Sequence, residues 1–134
     1  MAKTDTNGGL VMLTHAYFAA VSPHTRYKVI ATACSCGADY SVTVCGGTLF
    51  HVGAVAVAYP SASGSEVTVS ELIIPEHKDH YAARIFAEQM AGKLGCSIAV
   101  SAGIHIDDAS KEEIELLLEN CRICCDLLIA DILS

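Results

Sequence analysis

Three short stretches of the chain carry the residue types from which a binding or catalytic site is built: "CGGTLFHVG" at 45–53, "IPEHKDH" at 74–80 and "AGIHIDD" at 102–108. Each holds a histidine, His51, His77 and His105, and two of them add acids beside it. Neutral imidazoles can ligate a metal, donate to a phosphate, or exchange protons near neutral pH. No H-E-x-x-H or comparable local spacing makes these three a metal set. A shared site therefore depends on the fold drawing three distant loops together. The bland alternative is that His105 belongs only to a bend between a strand and a helix.

The neighbours of these histidines point the same way. Gly46, Gly47 and Thr48 form a loop whose backbone N–H groups could approach an anion, with a hydroxyl added, although Gly-Gly is also an ordinary turn signal. Asp79 fits the N-cap of a helix that begins there. Lys78 is harder to explain, because a cation at a helix N-terminus is mildly unfavourable unless an anion lies nearby, and so it points to a phosphate or carboxylate ligand. Asp107 or Asp108 would supply a base if His51, His77 and His105 held a metal. His15 and His24 read as structural, and His80 is expected on the solvent face, one helical turn past His77.

The elements that must position these loops follow from periodicity. Residues 27–36 and 38–45 alternate about Gly37 and read as an antiparallel pair. "HVGAVAVAYP" at 51–60 is apolar on both parities, as in a strand buried on both faces. "EVTVSELIIP" at 66–75 alternates, ends at Pro75 and pairs naturally with the strand before it. Four consecutive strands suggest a meander. From Asp79 to Leu94 the apolar residues fall at helical spacing, with Gly95 as the C′ stop. "CSIAVSAG" at 96–103 is a further strand, and Ser110 with Glu113 makes a capping box opening a final helix. Ile114, Leu117, Leu118, Cys121, Cys125, Leu128 and Ile132 mark the buried stripe of that helix. Residues 9–21 read as either strand or helix. The order ββββαβα gives an α+β fold, an antiparallel-rich sheet with helices packed on it.

Composition bounds what such a fold can be. The 134 residues make one domain, residues 1–134, of which 1–8 read as a flexible tail. Hydrophobic residues are 52% of the chain and charged residues 17%, yet no apolar run reaches the ~18–20 residues of a spanning helix. The excess suggests a buried oligomer interface rather than a membrane. A net charge of −7 argues against binding a phosphate backbone, so nucleic acid is set aside. "MAKTDTNGG" has none of the features of a secretory signal, and a cytoplasmic protein with its seven cysteines as thiols is expected. Cys121, Cys124 and Cys125 continue the apolar face of the last helix, so they read as buried thiols rather than as a zinc or redox motif.

"GGTLFHVGAVAVAYP", "LIIPEHKDHYAARIFAEQMAGKLG" and "VSAGIHIDDASKEEIE", in that order, resemble the LpdD-like prenylated-flavin chaperones, the family of the small D subunit of gallate decarboxylase. The resemblance covers about Cys45 to Glu119. It implies a cytoplasmic α+β protein, a homodimer, that holds prenylated FMN made by a UbiX-type prenyltransferase for delivery to a UbiD-type decarboxylase, without itself decarboxylating. The family's G-G-x-x-P-H-I-G pattern falls on Gly46, Gly47, His51, Val52 and Gly53. Its H-K-D element falls on His77, Lys78 and Asp79, and its A-G-I-H element on Ala102, Gly103, Ile104 and His105. Phe50 stands where the family often has proline, which leaves that loop less fixed. The cofactor-binding residues so implied are Gly46, Gly47, Thr48, His51, Lys78 and His105, with prenylated FMN or FMN as ligand and a divalent metal on His51, His77 and His105 as an addition. A seat for the large apolar ring system at a dimer interface would account for the excess hydrophobicity. Two other readings stay open: a metal-dependent hydrolase or isomerase using the three histidines, and a ligand-free assembly factor, since the family's shape is similar to that of proteasome-assembly chaperones.

Overall fold

The computed structural model describes residues 15–22, 24–75 and 79–134. A strand β1 (Ala16–Val21) leads through one 3-10 turn (Thr25–Tyr27) into β2 (Val29–Cys36), β3 (Asp39–Gly47), β4 (Ala54–Pro60) and β5 (Val67–Ile73). Helix α1 (His80–Leu94), strand β6 (Ile98–His105) and helix α2 (Lys111–Leu133) complete the order. The class is the expected α+β, with the ambiguous 9–21 segment supplying β1; residues 9–14 lie outside the described residues.

The six strands line up as β1-β2-β3-β6-β4-β5, and only β3 and β6 run parallel. The two expected hairpins, β2–β3 and β4–β5, are both present. The meander is not: β6 inserts between β3 and β4 and pairs with each. The connection explains it. Residues 48–53 must cross the width of one intervening strand, about 10 Å at ~4.8 Å per strand, which six residues do easily. A tight two-residue turn would have forced β3 and β4 together.

Register puts one parity of every central strand on a common face. Ala31 opposes Val44, Val44 opposes Ala102, and Ala102 opposes Ala54. These residues, with Val29, Ala33, Val42, Val100, Ile98, Ala56 and Ala58, are buried beneath the helices. The β-face residues are small, so the bulk of the core comes from above, where Phe86, Met90 and Leu128 are fully buried. Truncating such a side chain to alanine costs ~3–5 kcal/mol for Phe and ~2–5 for Met or Leu. Gly95 ends α1 in the left-handed conformation, its N–H bonding to the Ala91 carbonyl. Ser110 and Glu113 form the anticipated capping box at the start of α2. Ile114 departs from the expected stripe, since it is 41% exposed, while Leu117, Cys121, Cys125 and Leu128 are buried.

Among the described residues, no helix lies over the opposite face of the sheet. Phe18, Thr32, Thr43, Ser101, Val55 and Leu72 follow one another across all six strands there. β4 is thus buried on one side only: Ala54, Ala56 and Ala58 are sealed, whereas Val57 and Tyr59 are 43% and 47% exposed. The double-sided apolar pattern predicts double burial, but among the described residues the second face is uncovered.

Candidate functional site

The site lies where β3 and β6 end side by side and α1 begins. Parallel pairing sets Gly46 opposite Ile104 and Gly47 opposite His105. Beyond β3 the chain folds back across the end of β6 and is tied to it twice. Thr48 donates its backbone N–H to the His105 carbonyl at 2.8 Å, and Gly53 donates to the Ala102 carbonyl at 2.8 Å. The Thr48 hydroxyl also donates to the His105 carbonyl, at 3.2 Å. Gly47 donates to the Lys28 carbonyl at 3.0 Å. The backbone amides of Gly47 and Thr48 are therefore engaged within the fold.

Close approach explains the glycines. A Cβ on Gly103 would overlap the backbone of His51, one on Gly47 the backbone of His105, and one on Gly53 the Asp79 carboxylate. Only Gly47 of the three has a positive φ, 73°. At Gly53 and Gly103 the requirement is space for another chain segment rather than an unusual dihedral.

Asp79 is the pivot of this packing. It occupies the N-cap position of α1 as expected, yet its side chain makes no capping hydrogen bond. Its Oδ2 instead lies 2.8 Å from His51 Nε2, and its Oδ1 accepts the Ile104 N–H at 2.8 Å. At 5% exposure, this is one of two buried polar or charged residues among those described, the other being Asn120. A buried carboxylate is tolerated where donors surround it. One side chain thus joins the loop after β3, the end of β6 and the start of α1.

His105 sits in the last position of β6, not in a loop, and its Nε2 lies 2.7 Å from Asp107 Oδ1. The His51 and His105 rings meet edge to face, with centroids 6.1 Å apart. Two of the three sequence-predicted histidines therefore converge, each beside a carboxylate. His77 and Lys78 lie outside the described residues. Among the described residues no group of three or more His, Cys, Asp or Glu is arranged to hold a metal ion.

A cavity of about 310 Å³ opens next to this cluster, between the first turns of α1 and α2. Asp79 and His105 form its polar corner, and its walls are apolar, among them Ala82, Ile104, Ile106, Leu117 and Leu118. Ile114 lines it too, which is why that residue escapes the core. On the other side of the loop, the Lys28 ammonium stands 5.3 Å from the centre of the half-exposed Phe50 ring. Such an arrangement is a cation–π contact.

The sequence did not single out Asp79 as a site residue, nor Lys28. Asp79 reads from the sequence as a helix cap, and Lys28 precedes a strand in no motif. His80 corrects an expectation: it is half-buried, its ring lies 4.0 Å from that of Tyr81, and its Nδ1 is buried without a hydrogen-bond partner among the described residues. His24 is structural as expected, accepting the Arg26 N–H at the head of the 3-10 turn. His15 is exposed. The cysteines are free, and Cys121, Cys124 and Cys125 are buried. Burial raises all three thiols, Cys124 to about 11 and Cys125 to about 12.

The fold and the site define an α+β domain in which two imidazoles, a buried carboxylate and close-packed glycines border an apolar cavity. The chain belongs to the LpdD-like prenylated flavin chaperone family, whose profile, described as "Prenylated flavin chaperone LpdD-like domain", matches residues 23–133. Among solved structures it is similar to a chain of a chaperone complex for yeast 20S proteasome assembly, with 15% identity and a TM-score of 0.62, covering 90% of this chain and 99% of that one. At that identity the likeness is one of fold. No curated protein matches the sequence. No helix among the described residues is long and apolar enough to cross a membrane.

Proposed function

We propose that the protein is a non-catalytic carrier of prenylated FMN, receiving it from a UbiX-type prenyltransferase and passing it to a UbiD-type decarboxylase. The observation that carries this reading is the convergence of the three family blocks on one spot. His51, Asp79, Gly103 and His105 meet beside an apolar cavity, in a chain whose family is named for this cofactor. His51 and His105 line the polar edge of the flavin, each oriented by its carboxylate; with Nε2–H given to Asp107, His105 offers Nδ1 as acceptor to the N–H of the flavin ring. Gly46 and Gly47 serve the site by letting the end of β3 lie against the Lys28 and His105 backbones, where a Cβ would not fit. Since the Gly47 and Thr48 amides and the Thr48 hydroxyl are engaged, the phosphate is met by Lys78 and Lys28. A divalent metal on His51, His77 and His105 is not needed for this.

Nothing in carriage requires a nucleophile, and the buried thiols, held well above neutral pH, offer none. The service is enclosure of a reduced, oxygen-sensitive ring system. A homodimer forms through the sheet face on which no described helix packs, where Phe18, Val57, Tyr59 and Leu72 are exposed.

The test is to isolate the protein anaerobically after co-expression with a UbiX-type enzyme and record its absorbance and mass spectra. Stoichiometric prenylated FMN, reduced at least tenfold by His105→Ala, supports the carrier. A ligand-free protein that still co-purifies with the decarboxylase, indifferent to His105→Ala, replaces it with a pure assembly factor.

A further inference from the structure

The cavity between the amino-terminal turns of α1 and α2 is assigned by no motif and by nothing in the family description. Its volume of about 310 Å³ is at the low end of the ~300–1,000 Å³ typical of small-molecule sites, too small for a whole flavin nucleotide. Its walls, including Ala82, Ile104, Ile106, Leu117 and Leu118, carry hydrocarbon toward the space, while Asp79 and His105 stand at one corner. That corner is continuous with the His51–Asp79 and His51–His105 contacts. A ligand held by the histidines would therefore present to this space whichever of its parts is compact and apolar.

Resting on the carrier reading, we infer that this cavity receives the added five-carbon prenyl unit of the prenylated flavin and is what distinguishes that cofactor from plain FMN. Apolar pockets discriminate by filling: one methylene is worth ~10–200-fold, so a buried five-carbon group gives a preference on the order of 100-fold or more. The sugar and phosphate remain outside, toward Thr48 and Lys28, where the surface is open and charged.

Anaerobic titration of the wild-type protein with reduced prenylated FMN and with reduced FMN reads the ratio of the two affinities directly. The ratio is expected to be at least about 100. Leu118→Trp, which fills the cavity, lowers it at least tenfold. Ala109→Leu, on the half-buried lip, does the same and decides the matter if Leu118→Trp does not fold. Binding of both flavins with equal affinity, or a ratio unmoved by filling, overturns the cavity assignment and leaves the carrier intact. Binding of neither flavin by the wild-type protein overturns the carrier itself, and the assignment with it.

Discussion

Replacing Gly53 by alanine tests the packing from which the site is built. The new Cβ would overlap the Asp79 carboxylate and crowd the His51 ring, although the backbone conformation at Gly53 is one that alanine adopts freely. The cost must therefore come from displaced neighbours. Losing a hydrogen bond to a charged group costs ~1.5–3 kcal/mol, and stripping a partner from a fully buried ion pair costs ~3–5. His51 is 18% exposed and Asp79 5%, so water repays part of the loss. A destabilisation of about 2–4 kcal/mol is expected. At ~3–5 °C per kcal/mol for a chain of this size, Tm falls by roughly 10 °C. Gly92→Ala is the control: its Cβ meets only Val67 Cγ2, at 3.6 Å, an ordinary contact. Alanine at this exposed helix position should stabilise by about 0.5–1 kcal/mol. Urea unfolding of both variants gives the two differences side by side. Gly53→Ala within 1 kcal/mol of wild type would refute the argument that this glycine exists to admit the Asp79–His51 pair.

Other consequences are as direct. The Glu113 carboxyl is held down to about 2 by the Arg26 guanidinium, with the Ser110 amide and the Tyr27 hydroxyl also donating to it. Its folded value is depressed below the ordinary 4.5, so its contribution is full above that pH and is lost as pH falls toward 2. The stability difference between wild type and Glu113→Gln, measured by urea unfolding across pH, should be largest above 4.5 and shrink toward 2. Mass-resolved alkylation of the native protein at pH 7.5 should label exposed Cys36 and leave Cys121, Cys124 and Cys125 unmodified until the chain unfolds. For the homodimer proposed above, Val57→Arg on the exposed sheet face should give a monomer by light scattering, with little change in the far-ultraviolet spectrum.

Much of the fold was legible because its signals are local. The capping box at Ser110, the stop at Gly95 and the two hairpins each depend on a few adjacent residues. The place of β6 was not legible, since an eight-residue apolar strand carries no mark of which neighbours it will take. β4 misled for a related reason: Val57 and Tyr59 look like core, although no described element of the chain covers that face. The site divides in the same way. His51 and His105 stood out by type and by neighbouring glycines, but Asp79 already had a satisfactory local role, and nothing local distinguishes a carboxylate that caps from one that turns inward to a histidine 28 residues earlier. Gly53 and Gly103 stand in the family's patterns with no local sign of what they provide, which is room for a crossing chain.

The carrier account is tested most directly by anaerobic titration of the ligand-free protein with reduced prenylated FMN, followed by flavin absorbance or calorimetry. It predicts saturable binding at one site per chain, weakened at least tenfold by His51→Ala and by His105→Ala. Absence of saturable binding, or binding that neither substitution affects, contradicts it.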